Sequence, residues 1–335
     1  MAFRIIPDDT NIGFMRFRRI AFPVSLVLAL ASAILFVTVG PDYGIDFRGG
    51  TQIVMQPEDG EVTTDDISEV RDRLAPLNLG DIDVQSLTEA AGEQSISIRI
   101  ELSEETAADD ADEGTQAEVV EEVLATLGDD FGSLRSSEFV GPRVSSELAR
   151  DGIISALVAM FAIMVYVWFR FEWQFAVGAI IAIAHDVLLT LGFFTVVGLD
   201  FNLASIAAIL TIVGYSLNDT VVVYDRIRET LRKFKRKPVV ELIDRAINDT
   251  LARTTITSLT TWIALWALFI FGGEVIRSFV AAMIFGVAIG TYSSIFIAAP
   301  ILVFFNLRGD MFEKVEDKTD AGAKRGQGEA NKPAE

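Results

Sequence analysis

Two acidic side chains in this chain sit where acids are expensive. Asp219 lies in the stretch ASIAAILTIVGYSLNDTVVVYDRIRE, residues 204–229, which starts as an ordinary apolar run and then carries Tyr215, Ser216, Asn218 and Asp219 before more apolar residues. Asp186 follows His185 near the middle of a second apolar run. A carboxylate inside a membrane span costs about 2.5–3.5 kcal/mol on insertion scales, so it calls for a partner, a proton or a water-filled cavity.

A cation is available to Asp219. Arg253 opens another apolar run, and antiparallel neighbouring helices can bring the two to one depth. From the outer end near Leu203, Asp219 is about 24 Å along a helix at ~1.5 Å per residue, within the inner third of a core ~30 Å thick. An acid and a guanidinium that meet there lower each other's cost, and the acid's affinity for a proton then depends on whether Arg253 is near. That is the property of a proton carrier; the alternative is a fixed bridge holding two helices together. Thr257 shares the face of Arg253 at helical spacing, so it lines either a wet path or nothing more than its own helix backbone. Ser216 and Asn218 read as hydrogen-bond partners of the site or as contacts between helices. His185 and Asp186 point about 100° apart on a helix, so they are not expected to form a simple dyad. They are candidates for the proton path or for a hydrogen-bonded pair that fixes helix packing.

Other chemistries find little support. The chain has 335 residues, no cysteine and one histidine, which excludes disulfides and thiolate metal sites and leaves no His-based cluster. GxxxxGK[ST] and HExxH are absent. Asp186 and Asp219 could be offered as the pair of an intramembrane aspartyl protease, but nothing else points to hydrolysis. FRGGT at 47–51 places two glycines at a strand, for close backbone approach or a plain bend.

The elements that must position these residues are membrane helices. The chain is 51% hydrophobic with mean hydropathy +0.40, too apolar for a typical soluble domain. Six spans are predicted, at 20–39, 152–169, 175–197, 203–224, 254–271 and 278–305. The first is preceded by basic residues, but it is long for a signal peptide and no small-x-small site follows, so it reads as an uncleaved anchor. The net charge of −19 is concentrated in the block at 40–151. That block alternates like a strand from 43 to 56, turns at 57–60, and continues as a helix at 65–74 capped by Thr64. Two strands flank 91–92, an acidic and mobile insertion covers 103–114, a helix covers 116–127, and LRSSEFVG closes as a strand. The order β-α-β-β-α-β predicts a ferredoxin-like domain between the first two spans. Most Lys and Arg lie in the segment 1–19, at the turn after 169, in the basic loop 225–253 with its RKFKRK run, and in the polar tail 306–335. The positive-inside bias puts those on the cytoplasmic side, with the acidic block outside. The RKFKRK run is read as a contact with the inner leaflet, and the tail as disordered.

Several segments together resemble the SecF family of protein-export membrane proteins, part of the RND superfamily. They are GIDFRGGTQI, VGPRVSSEL, FRFEWQ and AHDVLLTLG, and GYSLNDTVVVYDRIRE followed by LARTTITSLTT. One departure is that Arg143, Val144, Ser145 and Ser146 follow VGP where a glycine is expected. The resemblance implies six spans and a periplasmic domain, paired with a similar half from SecD in the bacterial inner membrane. It implies work beside the SecYEG channel, often with YajC, in which proton flow draws the preprotein outward after the ATP-driven SecA phase. It further implies no chemical catalysis, no cofactor other than the coupling proton, and essential roles for Asp219 and Arg253, with another aspartate coming from SecD. An RND-type exporter of lipids or small molecules and a passive scaffold are the competing readings.

Overall fold

The computed structural model describes residues 7, 10–57, 61–88, 94–102, 113–273, 276–305 and 307. A 3-10 turn (Phe14–Phe17) leads into α1 (Arg18–Thr38). Then come β1 (Asp42–Tyr43), the single turn α2 (Ile45–Arg48), β2 (Gly50–Gln56), α3 (Thr64–Leu74), β3 (Gly80–Thr88), β4 (Gln94–Leu102), α4 (Glu113–Leu127) and β5 (Ser133–Val140). The rest is helical apart from β6 (Asp200–Phe201): α5 (Pro142–Arg170), α6 (Trp173–Val197), α7 (Leu203–Lys233), α8 (Val239–Phe271), α9 (Arg277–Ser293) and α10 (Ala299–Phe304). Six helical stretches are long and apolar enough to cross a membrane, the sixth being α9 and α10 joined through a π turn (Ser294–Ala298). The chain is a multi-pass membrane protein.

The bundle is layered. Helices α6, α7 and α9 carry many buried residues, whereas α1, α5 and α8 present most of their apolar surface outward. Close approach of α7 and α9 depends on Gly286 and Gly290, one turn apart. A Cβ on Gly286 would sit 2.3 Å from Ile212 Cδ1, and one on Gly290 would sit 3.0 Å from Ser216 Cβ. Small residues at this spacing let membrane helices touch backbone to backbone. The π turn has a local cause. Pro300 carries no N–H for the carbonyl four residues back, and the nearby Ala298 carbonyl accepts from the buried Tyr224 hydroxyl at 3.0 Å.

The four-stranded sheet has the order β3-β4-β2-β5 with every neighbouring pair antiparallel. Period-two alternation sends Ile96, Ile98 and Ile100 into a core with Ile53, Met55, Val70, Leu74, Val123 and Leu127. Ser95, Ser97 and Arg99 take the opposite face of β4.

Several sequence expectations change. The strand at 43–56 is broken: Gly49 (φ 76) and Gly50 (φ 129) take backbone conformations open to glycine, so a helical turn separates β1 from β2. β1 instead pairs in parallel with β6, between α6 and α7. The cap of α3 is Thr63 rather than Thr64, in a reciprocal box with Asp66. The basic loop at 225–253 is mostly helix, with α7 running to Lys233 and α8 starting at Val239. Its charges lie on outer faces, while Ile227, Leu231, Leu242, Ile243, Ala246 and Ile247 bury the inner ones. The turn at 91–92 lies outside the described residues. So do the acidic insertion, apart from its last residues in α4, and the tail, apart from Leu307.

Candidate functional site

Two carboxylates anchor a polar network in the middle of the bundle. Asp186, on α6, is wholly buried. Its Oδ2 accepts from Ser216 Oγ on α7 at 2.5 Å and from Ser293 Oγ on α9 at 2.7 Å. Its Oδ1 lies 2.9 Å from His185 Nδ1. The neighbouring pair therefore forms a direct contact, as the packing alternative expects, although adjacent helical positions point about 100° apart. The side chains bend toward each other where the Cα–Cβ vectors diverge. His185 Nε2 is buried without a hydrogen-bond partner, and its ring faces Tyr292, whose hydroxyl lies 2.9 Å from Ser25 Oγ on α1.

Asp219, one turn beyond Ser216 on α7, is 2% exposed. Its Oδ2 accepts from Ser258 Oγ on α8 at 3.2 Å, and Ser258 Oγ lies 2.7 Å from Thr291 Oγ1 on α9. One turn from Ser258 on the same helix, Thr254 is buried with an Oγ1 that has no hydrogen-bond partner. Four helices thus contribute polar groups to one interior strip.

Arg253 is not in it. It is exposed, and among the described residues no carboxylate lies within ion-pair distance of it. The expected Asp219–Arg253 meeting is absent here because of helical phase. Ser258, which faces α7, comes five residues after Arg253, about 140° round the helix, so Arg253 points outward. Thr257 follows it: its hydroxyl donates to the Arg253 carbonyl at 2.8 Å and does not reach Asp219. Asn218 is also exposed and has no hydrogen-bond partner among the described residues, whereas Ser216 is a partner of Asp186. Thr291 and Ser293 were not singled out from sequence; the only trace of them is the small polar run GTYSS in an otherwise apolar span. Among the described residues no group of three or more His, Cys, Asp or Glu converges on a metal position.

The network reaches the sheet domain through the start of α7. Asn202 and Ser205 form a capping box there, and the Leu203 N–H donates to Asp46 Oδ2, just after β1, at 2.9 Å. Arg99 on β4, buried with 7% exposure, donates to Asp200 Oδ1 at 2.8 Å. The helix bearing Asp219 is thereby tied at its first residues to the domain outside the bundle.

Residues 119–308 match the family model "Protein export membrane protein SecD/SecF, C-terminal", and residues 34–61 match "SecD/SecF GG Motif". The chain belongs to the SecD/SecF family. It is 42% identical over 327 residues to the protein translocase subunit SecF of Rhodobacter capsulatus, covering 96% of each chain. It is also 42% identical over 305 residues to SecF of Rickettsia bellii, covering 90% of this chain and 96% of that one. A similar match to the protein translocase subunit SecDF of Brucella abortus, at 42%, covers 95% of this chain but 39% of that longer protein. The crystal structure of SecDF from Thermus thermophilus, a translocon-associated membrane protein, superposes with a TM-score of 0.77 at 34% identity, over 90% of this chain and 40% of that one. In the SecD/SecF family the chain is thus a membrane component of protein export, and the SecDF relatives extend well beyond the part it matches.

Proposed function

We propose that this chain is the SecF-type half of a proton-driven export device in the bacterial inner membrane, paired with SecD and working beside SecYEG. YajC is a further partner, and the device acts on preproteins after the SecA phase. The observation that carries this reading is Asp219. It is a carboxyl group buried in the membrane bundle, held by a serine hydroxyl with a threonine behind it, and with no cation within ion-pair distance among the described residues. Such a group changes charge by gaining or losing a proton, and ionisable side chains inside membranes mark ion pathways. The unpartnered Thr254 hydroxyl extends the polar strip along α8 and offers a water-borne route.

The coupling follows from the attachments of α7. A carboxylate accepts from Ser258, whereas a protonated Asp219 can donate, so proton binding rewrites the contact between α7 and α8. Movement of α7 pulls on Asp46, Asp200 and β6, and the sheet domain moves with it. Each proton crossing a 100 mV potential supplies about 2.3 kcal/mol, on the scale of a modest population shift. Asp186 is the second carboxyl of the strip, and His185, Ser216 and Ser293 hold it and set the α6–α7–α9 geometry.

Arg253 is read as the second relay residue, facing the other half of the device. With Thr211, Asn218 and Thr260 it forms an exposed polar face on α7 and α8 within the apolar band. A polar face at that depth is costly against lipid, which supports a protein partner there, and the longer SecDF relatives favour SecD as that partner. The strand order supports a ferredoxin-like domain. The concentration of Arg and Lys at the opposite end of the bundle supports a periplasmic sheet domain and cytoplasmic termini.

The test is complementation of a cold-sensitive strain lacking the native subunit. Asp219→Asn should assemble in the membrane at the normal level and fail to restore export. Normal export by that variant would refute the proposal.

A further inference from the structure

A serine hydroxyl carries one proton, yet Ser293 on α9 has two acceptors within reach. Its Oγ lies 2.7 Å from Asp186 Oδ2 and 3.1 Å from the Gly290 carbonyl, three residues back on its own helix. The proton can serve only one of them at a time. In one arrangement Ser293 donates to Oδ2, and Asp186 is a carboxylate that accepts from Ser293, from Ser216 and from His185. In the other, the Ser293 proton turns to the Gly290 carbonyl, and a proton on Oδ2 is donated to the freed Ser293 oxygen. Ser216 still donates to Oδ2 and His185 to Oδ1. Both carboxyl oxygens are paired in both arrangements, and no heavy atom has to move. A buried group that changes charge state ordinarily leaves a partner unmatched, at the full desolvation cost of that partner. The turning hydroxyl removes that obstacle.

The same device serves Asp219. Thr291, two residues before Ser293, has its Oγ1 2.7 Å from Ser258 Oγ and 2.9 Å from the Val287 carbonyl. Ser258 can donate to Asp219, or it can accept from a protonated Asp219 and donate to Thr291, which then turns to its own backbone. Each carboxyl of the strip thus rests on an α9 hydroxyl with two places for its proton. The surroundings of Asp186 add no fixed charge. The titratable side chains nearest to it are His185 on α6, Tyr292 on α9 and Asp219, one turn beyond Ser216 on α7. The apolar runs of α1 and α5, residues 20–38 and 152–169, contain no charged residue. Apart from His185, no cationic side chain lies within ion-pair distance of Asp186 among the described residues. His185 Nδ1 faces Oδ1 while Nε2 is buried and unbonded, so the network is satisfied with the imidazole proton on Nδ1.

We propose that Asp186 is a second proton-binding group of this chain, with Ser293 as the hydroxyl that turns to let the proton on and off. On uptake, one proton bonds to Asp186 Oδ2 and the Ser293 O–H rotates from Oδ2 to the Gly290 carbonyl; on release both changes reverse. His185 is a positioning residue: its Nδ1–H holds Oδ1 in both states, which keeps the exchange on the oxygen that faces α9. Uptake also reverses the polarity of the α6–α9 contact, as uptake at Asp219 does for α7 and α8. The inference rests on the reading of the strip as proton-bearing and adds to it a site on a different helix.

The experiment is infrared difference spectroscopy on the purified full-length chain in lipid vesicles, titrated from alkaline to acidic pH. Subtracting the Asp186→Asn difference spectrum from that of the wild type should leave one carboxylic C=O band that appears on acidification, and the same subtraction with Asp219→Asn should leave another. An Asp186→Asn spectrum that superposes on the wild type would overturn the proposal. The two bands are read separately, so loss of the Asp219 band alone would count against Asp219 as the carrier and leave the Asp186 assignment standing. Ser293→Ala removes the acceptor of the Oδ2 proton, and the Asp186 band should shift to higher frequency, as for an acid whose O–H is unbonded. An unmoved band would overturn the role of Ser293, and this variant decides the matter if thermal unfolding shows that Asp186→Asn does not fold. The chain has a single histidine, so isotope labelling and nitrogen NMR report on His185 alone. Its proton should stay on Nδ1 throughout the titration. A second proton arriving on Nε2 in place of the carboxylic band would assign uptake to the imidazole and overturn the proposal.

Discussion

Removing both hydroxyl donors from Asp186 should destabilise the bundle by more than the two single removals combined. Ser216 and Ser293 reach the same oxygen from different helices, at 2.5 and 2.7 Å. In Ser216→Ala, Oδ2 keeps its bond from α9; in Ser293→Ala, it keeps its bond from α7. Each single loss should cost about 0.5–1 kcal/mol, in line with hydrogen bonds between membrane helices. The double variant leaves a wholly buried carboxyl oxygen with no donor, and an unmet buried acceptor costs about 1–3 kcal/mol. The coupling energy should therefore be about 1–2 kcal/mol. The assay is a double-mutant cycle on the full chain, unfolded reversibly in mild detergent, with Thr260→Ala as a control whose hydroxyl bonds only to its own helix. A double variant equal to the sum of the singles within about 0.5 kcal/mol, the spread expected of independent sites, would refute the shared-acceptor geometry.

Other consequences follow from packing and electrostatics. Gly286→Ala places a methyl against Ile212 and should cost about 1–3 kcal/mol by overpacking, with partial rescue by Ile212→Val, both read by thermal unfolding. Thr63→Ala should destabilise the sheet domain by about 0.5–2 kcal/mol. In the capping box the Thr63 N–H and hydroxyl hold the Asp66 carboxyl below its usual range. That contribution should be present above the ordinary Asp value and fade as pH falls through the lower folded value, so an acid titration of Asp66→Asn should be flatter than wild type. Arg99→Ala should release the sheet domain from the turn before α7, and hydrogen exchange at residues 199–206 should rise while the bundle interior stays protected; unchanged exchange there would show that Asp200 does not hold the junction.

The membrane spans were legible because length and apolarity alone specify them, and Asp219 and Asp186 stood out because an acid in such a run is conspicuous. Arg253 shows what one-dimensional reading misses. Depth along the chain placed it beside Asp219, but the phase of α8 decides which side faces α7, and that phase is set by packing that begins at Val239. Ser258, Thr291 and Ser293 do much of the holding, yet hydroxyls are ordinary in membrane helices and nothing in their spacing distinguishes a partner of Asp from a bond to the preceding turn. The broken strand at 44–49 failed for a different reason. Alternation suggested continuity, while two adjacent glycines allowed a backbone turn that side-chain patterning cannot detect.

The most direct test of the central claim is proton movement itself. Vesicles holding this chain together with SecD, energised by a pH step across the membrane, should pass protons at a rate that falls to background in Asp219→Asn and stays measurable in Asp219→Glu, which keeps the titrating group. Flux in Asp219→Asn equal to wild type, with both proteins present at equal levels, would contradict the assignment of Asp219 as the proton carrier.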